Sequence, residues 1–537
     1  MVSDLTQKEL EEFSKSLVIE IKDSEIKTKK ELNKAKMKIC KKMSVKHMPT
    51  NADILGFCKQ YKELRKLLLQ KPVRSISGVA IVAVMVKPHD CPGKCIYCPS
   101  GINQEMPKSY TGSEPAAMRA LQFEFNAYKQ TSNRIKQLEE TGHSTEKIEL
   151  IIMGGSFLAM PKAYQTSFVR DCLNAITDKK AKTLETAKKN AEKSKRRLIG
   201  LTIETRPDYC KEKEVRRMLE LGATRVEIGV QMPSDEVYKK VNRGHSVKDV
   251  VEATQLAKDA ALKVCYHIMP GIYGATVKEQ MKLLKELFEK QEYMPDMLKI
   301  YPTLVIPGTE LYKLWKKGTY KPLTSNEAAD FIAELKRYVP RWVRVMRVQR
   351  DIPAGLITAG VKKSNLRQLV EEKMKEKGIE CKCIRHREIG IREMKNLEKR
   401  TGKLKLKVSE YKASKGKEFF IEAIDNKDSL YGFVRLRIPY KPFVKEIDEK
   451  TALIRELHVY GTSLSLGEHH KKSVQHSGIG KKLMKRATLI AKKEGMQKIV
   501  VISGLGVREY YRKFFGYWKT GYWMCGGGIV REESLSS

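Results

Sequence analysis

Cys91, Cys95 and Cys98 stand in the run Cys-Pro-Gly-Lys-Cys-Ile-Tyr-Cys, a C-x3-C-x2-C spacing. Three thiolates this close can hold three irons of a [4Fe–4S] cluster, because such clusters are ordinarily ligated by cysteine sulfur. An iron left without a cysteine is free to chelate the amino and carboxylate groups of S-adenosylmethionine and to deliver the electron that cleaves it. A structural zinc knuckle would want a fourth ligand at paired spacing, which the run does not offer. The apolar stretch Val79–Lys87 just ahead reads as a buried strand. A cluster at a strand's C-terminal end suits a βα barrel, whose chemistry gathers at that mouth.

The surrounding sequence supplies such a barrel. From 75 to about 320, strand-like segments (Val79–Val86, Ile148–Met153, Leu198–Glu204, Arg225–Gln231, Lys263–Met269, Leu298–Val305) alternate with helical ones (Pro115–Gln130, Lys213–Leu221, Val247–Ala260, Thr276–Lys290). That alternation predicts an α/β fold on a parallel sheet, doubly wound or curled into a partial barrel. Residues 321–395 read as a linker with helices at Asn326–Tyr338 and Asn365–Glu376. Residues 396–537 read as a smaller α+β domain, with strands at Leu404–Glu410, Glu418–Ile424, Tyr431–Arg437 and Leu453–His458, then a helix and a final strand.

Charge points to a partner. The 537 residues carry 104 Lys and Arg against 64 Asp and Glu, a formal net charge of +40. A field of that sign and size favours polyanions, nucleic acid first among them. Residues 1–74 look helical and basic: between Lys27 and Lys46 nine lysines meet a single acid, Glu31, while Leu32, Ala35, Ile39 and Met43 recur at helical spacing. Lys179–Arg197 reads as a second basic helical stretch, at the rim of the barrel. No apolar run reaches the ~20 residues of a membrane helix. The first residues are polar rather than signal-like, so a cytoplasmic protein is expected. Eleven cysteines argue against a disulfide framework, and Cys40, Cys58, Cys172, Cys210 and Cys265, scattered singly, read as packing residues.

A second chemistry lies near the C-terminus. Gln475-His-Ser-Gly478-Ile-Gly480-Lys481 opens a helix after the strand ending Glu456-Leu457-His458-Val459-Tyr460-Gly461. Glycines at a helix start let the backbone approach a pyrophosphate, which the free N–H groups and the dipole then hold. The pattern resembles the acetyl-coenzyme A motif of GNAT acetyltransferases. In that fold a tyrosine placed like those of Val507-Arg-Glu-Tyr510-Tyr511 faces the thioester sulfur and can protonate the departing thiolate; packing is the other role open to either ring.

Joined in one chain, the two motifs resemble the catalytic subunit of Elongator in an archaeal-type stand-alone form. Further strings carry the resemblance: Lys87-Pro-His-Asp-Cys91, Ser109-Tyr-Thr-Gly-Ser-Glu-Pro, Met153-Gly-Gly-Ser-Phe157, Glu204-Thr-Arg-Pro-Asp208, Val241-Asn-Arg-Gly-His245, Tyr301-Pro-Thr and Ile502-Ser-Gly-Leu-Gly506. It implies a radical S-adenosylmethionine partial barrel with a C-terminal GNAT domain, acting on the wobble uridine of the tRNA anticodon arm. The product would be 5-carboxymethyluridine. The acetyl methyl is too weakly acidic for easy deprotonation, so a 5′-deoxyadenosyl radical would take a hydrogen from it before it attacks carbon 5, and thioester hydrolysis would release coenzyme A. An electron donor is required, and no membrane.

Residue by residue, the resemblance assigns Cys91, Cys95 and Cys98 to the cluster, although many family members space the first two more widely. It assigns Gly154, Gly155, Glu204 and Arg206 to S-adenosylmethionine, with a structural ion pair the other role open to the last two. Lys147, Glu456, Leu457, His458, Val459, Gln475, Gly478, Ile479, Gly480, Lys481 and Tyr511 go to acetyl-CoA. Tyr511 is the expected leaving-group acid and Tyr510 the alternative. Cys381, Cys383 and His386 resemble ligands of a zinc ion, with His458 as the fourth; the family often has cysteine where His386 stands. Two other functions fit parts of the sequence: a protein lysine acetyltransferase with a structural barrel, and a non-catalytic tRNA-binding subunit.

Overall fold

The computed structural model describes residues 5–45, 47–57, 67–68, 78–99, 105–155, 157–395, 397, 403–460 and 478–527. Seven strands form the first sheet: β1 (Ala80–Met85), β2 (Lys147–Met153), β3 (Arg197–Thr205), β4 (Arg225–Gln231), β5 (Lys263–Ile268), β6 (Met297–Ile300) and β7 (Arg344–Arg347). They lie side by side in chain order, every neighbouring pair parallel. This is the open barrel that alternating strands and helices predict, since each helical crossover returns the chain to the same end of the sheet. β7 falls within the stretch read as a linker, so that stretch completes the sheet. β6 is shorter than its apolar run suggests. Pro302 cannot donate to a ladder, and Val305 instead forms an isolated bridge with Ala359.

One expected helix is two. Pro115–Gln122 and Ala127–Glu140 are separated by Glu124 and Phe125 in left-handed conformations, and the Asn126 side chain caps the second helix. The break lets a side chain from each helix reach the open edge of β1. Arg119 Nη2 donates to the Ala83 carbonyl at 2.8 Å. Gln130 pairs with Met85 like a neighbouring strand, accepting from its N–H and donating to its C=O, both at 2.9 Å. Buried backbone groups left unpaired cost about 1–3 kcal/mol each. Gln130→Leu is therefore expected to lower stability by about that amount or more, read as a shift in the urea midpoint.

The second sheet runs in the order β13-β14-β12-β11-β10-β9-β8: β8 (Lys405–Ala413), β9 (Gly416–Ile424), β10 (Leu430–Ile438), β11 (Thr451–Val459), β12 (Lys498–Val501), β13 (Trp518–Thr520) and β14 (Trp523–Gly527). The basic stretch at 179–197 keeps Lys179, Lys180, Lys182, Lys189, Lys193 and Lys195 exposed and anchors its other face. Its helix Leu184–Glu192 buries Leu184, Ala187 and Ala191, and Glu192 holds Arg508 and Arg512 of the C-terminal domain. Lys188, also buried, donates to the Glu220 carbonyl at 3.0 Å. At the N-terminus, helices Gln7–Asp23 and Lys29–Lys42 pack Phe13 and Leu17 against Leu32, Ala35 and Ile39, the apolar stripe expected of a basic amphipathic helix. No described helix is long and apolar enough to cross a membrane.

Between barrel and C-terminal domain lies a layer of buried charge. Asp296, ahead of β6, takes both terminal nitrogens of Arg455 at 2.8 and 2.6 Å, with Lys258 at 3.5 Å and Arg435 at 3.6 Å. Arg437 pairs with Asp259 at 2.6 Å and Glu418 at 3.1 Å, and Arg435 with Glu456 at 2.9 Å. Asp259 and Asp296 precede β5 and β6, so the C-terminal domain sits at the N-terminal ends of the barrel strands, opposite the cysteine loop.

Candidate active site

The cysteine loop leaves the C-terminal end of β1 and is fastened to loops that leave other strands. Ile96 N–H donates to the Val241 carbonyl at 3.1 Å, and Leu311 N–H to the Ile96 carbonyl at 2.9 Å. Arg243 Nη1 donates to Cys95 Sγ at 3.4 Å. All three cysteines are half-buried, while Ile96 and Tyr97 between them are buried and fix the loop's course. Three thiols on one short loop at the barrel mouth, all with partial solvent access and one of them beside a guanidinium, are a donor set that fits an iron–sulfur cluster.

Gly154 and Gly155 end β2 with φ of 128° and 76°. A Cβ on Gly154 would lie 2.5 Å from Val86 Cγ2, and one on Gly155 3.3 Å from the Lys108 carbonyl. The bare backbone at this strand end is thus required by space and by conformation, which suits a polar ligand resting on it. Glu204, ending β3, accepts from the Tyr110 hydroxyl at 2.9 Å and lies 3.6 Å from Lys299 Nζ. Arg206 is turned to a structural task. Its Nε and Nη2 hold Asp208 at 2.9 and 2.8 Å, and its Nη1 holds the Arg243 carbonyl at 3.0 Å.

The barrel interior is charged rather than apolar. Arg225 pairs with Glu149 at 2.5 Å and Glu227 at 3.2 Å; Glu227 also contacts Lys299 and accepts from His267 at 2.8 Å. Burial alone would raise the Glu227 carboxyl, but Lys299 beside it, with His267 and Arg225, holds it well below the usual carboxylate range. Glu227, Cys265 and His267 bring their donor atoms within 4.8 Å of one another. Lys299 and Arg225 already supply the positive charge that a metal ion would bring.

In the C-terminal domain β11 and β12 pair only from Thr451↔Lys498 to Ile454↔Val501, while β11 continues beside β10 to Val459. Beyond Ile454, Glu456, Leu457, His458 and Val459 present a strand edge that β12 does not cover, a slot for an extended ligand with amide groups. The helix Ile479–Lys493 starts at this slot behind Gly478, whose φ is 74°. A Cβ on Gly480 would lie 3.8 Å from Val459 Cγ2 and 2.7 Å from the Tyr510 hydroxyl. The Tyr510 phenol therefore reaches the glycine turn. The Tyr511 ring is buried, 5.4 Å from Tyr510 and 6.3 Å from Tyr517. Lys481 Nζ lies 4.9 Å over the Phe514 ring. Lys147 opens β2 at the barrel end facing this domain, paired with Arg197, and burial lowers its ammonium. A Cβ on Gly506 would come 2.7 Å from Arg197 Cα. Gln475 and Gly461 lie outside the described residues.

Comparison with known proteins agrees with both halves. The Radical SAM superfamily profile matches residues 85–287 and the Radical_SAM C-terminal domain 295–376. The ELP3 N-terminal domain matches 10–76 and the Acetyltransferase (GNAT) family 390–517. A tRNA uridine(34) acetyltransferase of Methanocaldococcus infernus is 52% identical over 486 residues, covering 89% of this chain and 91% of its own. Human Elongator complex protein 3 is 42% identical over 508 residues, 92% of each chain. The solved structure of the archaeal Methanocaldococcus infernus Elp3 with an N-terminal deletion superposes with a TM-score of 0.75 at 48% identity, covering 84% of this chain and 99% of that one. The chain belongs to the Elongator complex protein 3 family.

In this member of the Elongator complex protein 3 family Cys381, Cys383 and His386, three of the residues expected for zinc, lie near one another. Cys381 and Cys383 are buried and share a hydrogen bond, which pushes the Cys381 thiol up and holds Cys383 low; burial lowers His386. No three of Cys381, Cys383, His386 and His458 bring their donor atoms within 4.8 Å of one another. His458 lies in an aromatic stack, 4.3 Å from Tyr460 and 6.0 Å from Phe433. The sequence reading also missed Tyr110 and Arg243. Both lie in strings that carried the family resemblance, but neither residue type announces its partner.

Proposed function

We propose that this chain is a tRNA-modifying acyltransferase that carboxymethylates carbon 5 of the wobble uridine, with acetyl-CoA as the carbon source and S-adenosylmethionine at a [4Fe–4S] cluster as the radical source. The observation that carries this reading is the pairing, within one packed unit, of a three-cysteine loop at the barrel mouth with a splayed, glycine-capped acetyl-CoA slot. Relatives named for uridine(34) acetylation support the substrate.

Cys91, Cys95 and Cys98 would hold the cluster, which with S-adenosylmethionine supplies one-electron chemistry able to activate a C–H bond. Gly154 and Gly155 offer bare backbone to the methionine end, and Glu204, steadied by Tyr110, is the carboxylate facing the same mouth. The open edge of β11 holds the pantetheine amides, and the N–H groups of Ile479, Gly480 and Lys481 hold the pyrophosphate. Tyr510, half-buried where Tyr511 is enclosed in the core, donates its proton to the departing thiolate as the thioester is hydrolysed. Lysines of the first helices neutralise the tRNA backbone, so binding weakens steeply with salt. An external reductant feeds the cluster, in the cytoplasm.

The test is nucleoside mass spectrometry of tRNA incubated anaerobically with reconstituted protein, S-adenosylmethionine, reductant and methyl-labelled acetyl-CoA. Labelled 5-carboxymethyluridine that vanishes without S-adenosylmethionine, and in Cys95→Ser, is the expected result. Label on protein lysines with none in tRNA would instead make the chain a lysine acetyltransferase.

A narrower outcome separates the two tyrosines. Tyr510→Phe is expected to slow coenzyme A release about 10²–10⁴-fold, the usual range for a lost general acid. Tyr511→Phe should change the melting temperature more than the rate. Free-thiol release and thermal unfolding, measured on both variants, decide between them.

A further inference from the structure

Arg243 is not used by the mechanism above, yet space has been made for it. Its guanidinium is buried, with 7% of the residue exposed. Nη2 donates to the Gly229 carbonyl at 2.8 Å and Nη1 to Cys95 Sγ at 3.4 Å, while Nε is buried without a hydrogen-bond partner. A Cβ on Gly229 would lie 2.6 Å from Nη2, so β4 needs glycine there to admit the side chain. Its backbone is fixed as well. Arg206 grips the Arg243 carbonyl and is itself forked onto Asp208, and a Cβ on Gly93 in the cysteine loop would come within 2.2 Å of Arg206. Among the described residues no carboxylate lies within 4.0 Å of the Arg243 guanidinium. Its charge is thus directed at sulfur.

We infer that Arg243 raises the reduction potential of the cluster by donating a charge-assisted hydrogen bond to the Cys95 thiolate. The inference rests on the cluster reading above. Reduction adds one negative charge to the cluster. A buried cation that no carboxylate neutralises stabilises the reduced form more than the oxidised one, in surroundings that screen little. Hydrogen bonds to cluster sulfurs and local charge are among the means by which a protein sets such potentials. The consequence reaches the partner: a cluster tuned upward accepts its electron from a donor of less negative potential than the bare loop would require.

The experiment is an EPR-monitored potentiometric titration of anaerobically reconstituted full-length protein, without S-adenosylmethionine. Iron and sulfide per chain are determined on the same samples. Arg243→Met removes charge and hydrogen bond at similar volume; Arg243→Lys keeps the charge without the fork. The expected result is a full cluster in both, with the midpoint of Arg243→Met lowered by about tenfold in the reduction equilibrium, or about 59 mV for one electron, and Arg243→Lys in between. An unchanged midpoint in fully loaded Arg243→Met overturns the inference, as does loss of iron from both variants, which would make Arg243 a clamp on the loop. Wild-type protein that takes up no four-iron cluster would overturn the cluster reading itself.

Discussion

Asp296→Ala is expected to cost about 3–5 kcal/mol, the range for breaking a buried ion pair by removing one partner. That is a large part of the ~5–15 kcal/mol that keeps a domain folded. Asp296 is fully buried, and it answers Arg455, Lys258 and Arg435 together while accepting from Val264 N–H at 2.8 Å. Truncation would leave three fully buried cations to share only Glu418 and Glu456. Replacing charges on both sides by apolar groups could be neutral, so the cost belongs to the unpaired partners rather than to the contact. The pH dependence has a definite sign. Burial would raise the Asp296 carboxyl, but Arg455, with Lys258 and Arg435, overrides it and holds the group far below the usual carboxylate range. Its stabilisation is complete above the unfolded value of ~3.9 and is lost as pH falls toward the lower folded value. Urea midpoints measured from about pH 7 to about pH 2 should fall for wild type once the pH drops below the unfolded value of ~3.9. In Asp296→Asn they should start lower and fall less.

The barrel was legible because its strands are largely buried and carry apolar runs, as at Ala80–Met85 and, around the single charge of Glu149, at Ile148–Met153. The cysteine loop and the glycine turn were legible because their chemistry needs particular residues at close spacing. What the sequence hid is what folding brings together from afar. Lys258, Asp259, Asp296, Glu418, Arg437 and Arg455 look like surface charges one at a time, yet all are fully buried at a single interface. The stretch at 179–197 was legible only in part for a related reason. Its lysines are visible in the sequence, but the residues that decide its place are Glu192 and the small apolar face of Leu184, Ala187 and Ala191. Arg206 shows the same limit at the site: its position at a strand end suggested a ligand contact, and Asp208, two residues on, occupies it.

Gly504→Ala should separate the two modules without touching either ligand site. Gly504 has a φ of −58°, so alanine meets no backbone strain there. Its Cβ would nevertheless lie 2.2 Å from the Ile199 carbonyl carbon, 2.3 Å from the Ile199 oxygen and 2.6 Å from the Leu198 oxygen. All three are backbone atoms of β3, which no rotamer change can move aside. Overpacking of this kind costs about 1–3 kcal/mol, occasionally more, and here the easier relief is to slide the C-terminal domain off the barrel. If carboxymethylation depends on delivering an acetyl group held by one module to a radical made by the other, labelled 5-carboxymethyluridine should fall more than about tenfold in Gly504→Ala. Acetyl-CoA binding by calorimetry and S-adenosylmethionine cleavage by the reduced protein should persist, because the β11 slot and the cysteine loop lie away from the wedge. Nucleoside yields that stay at the wild-type level in a variant whose interface is demonstrably opened, for example by new proteolytic cuts near residue 192 or 504, would mean that the two chemistries do not need this contact and that tRNA itself brings them together.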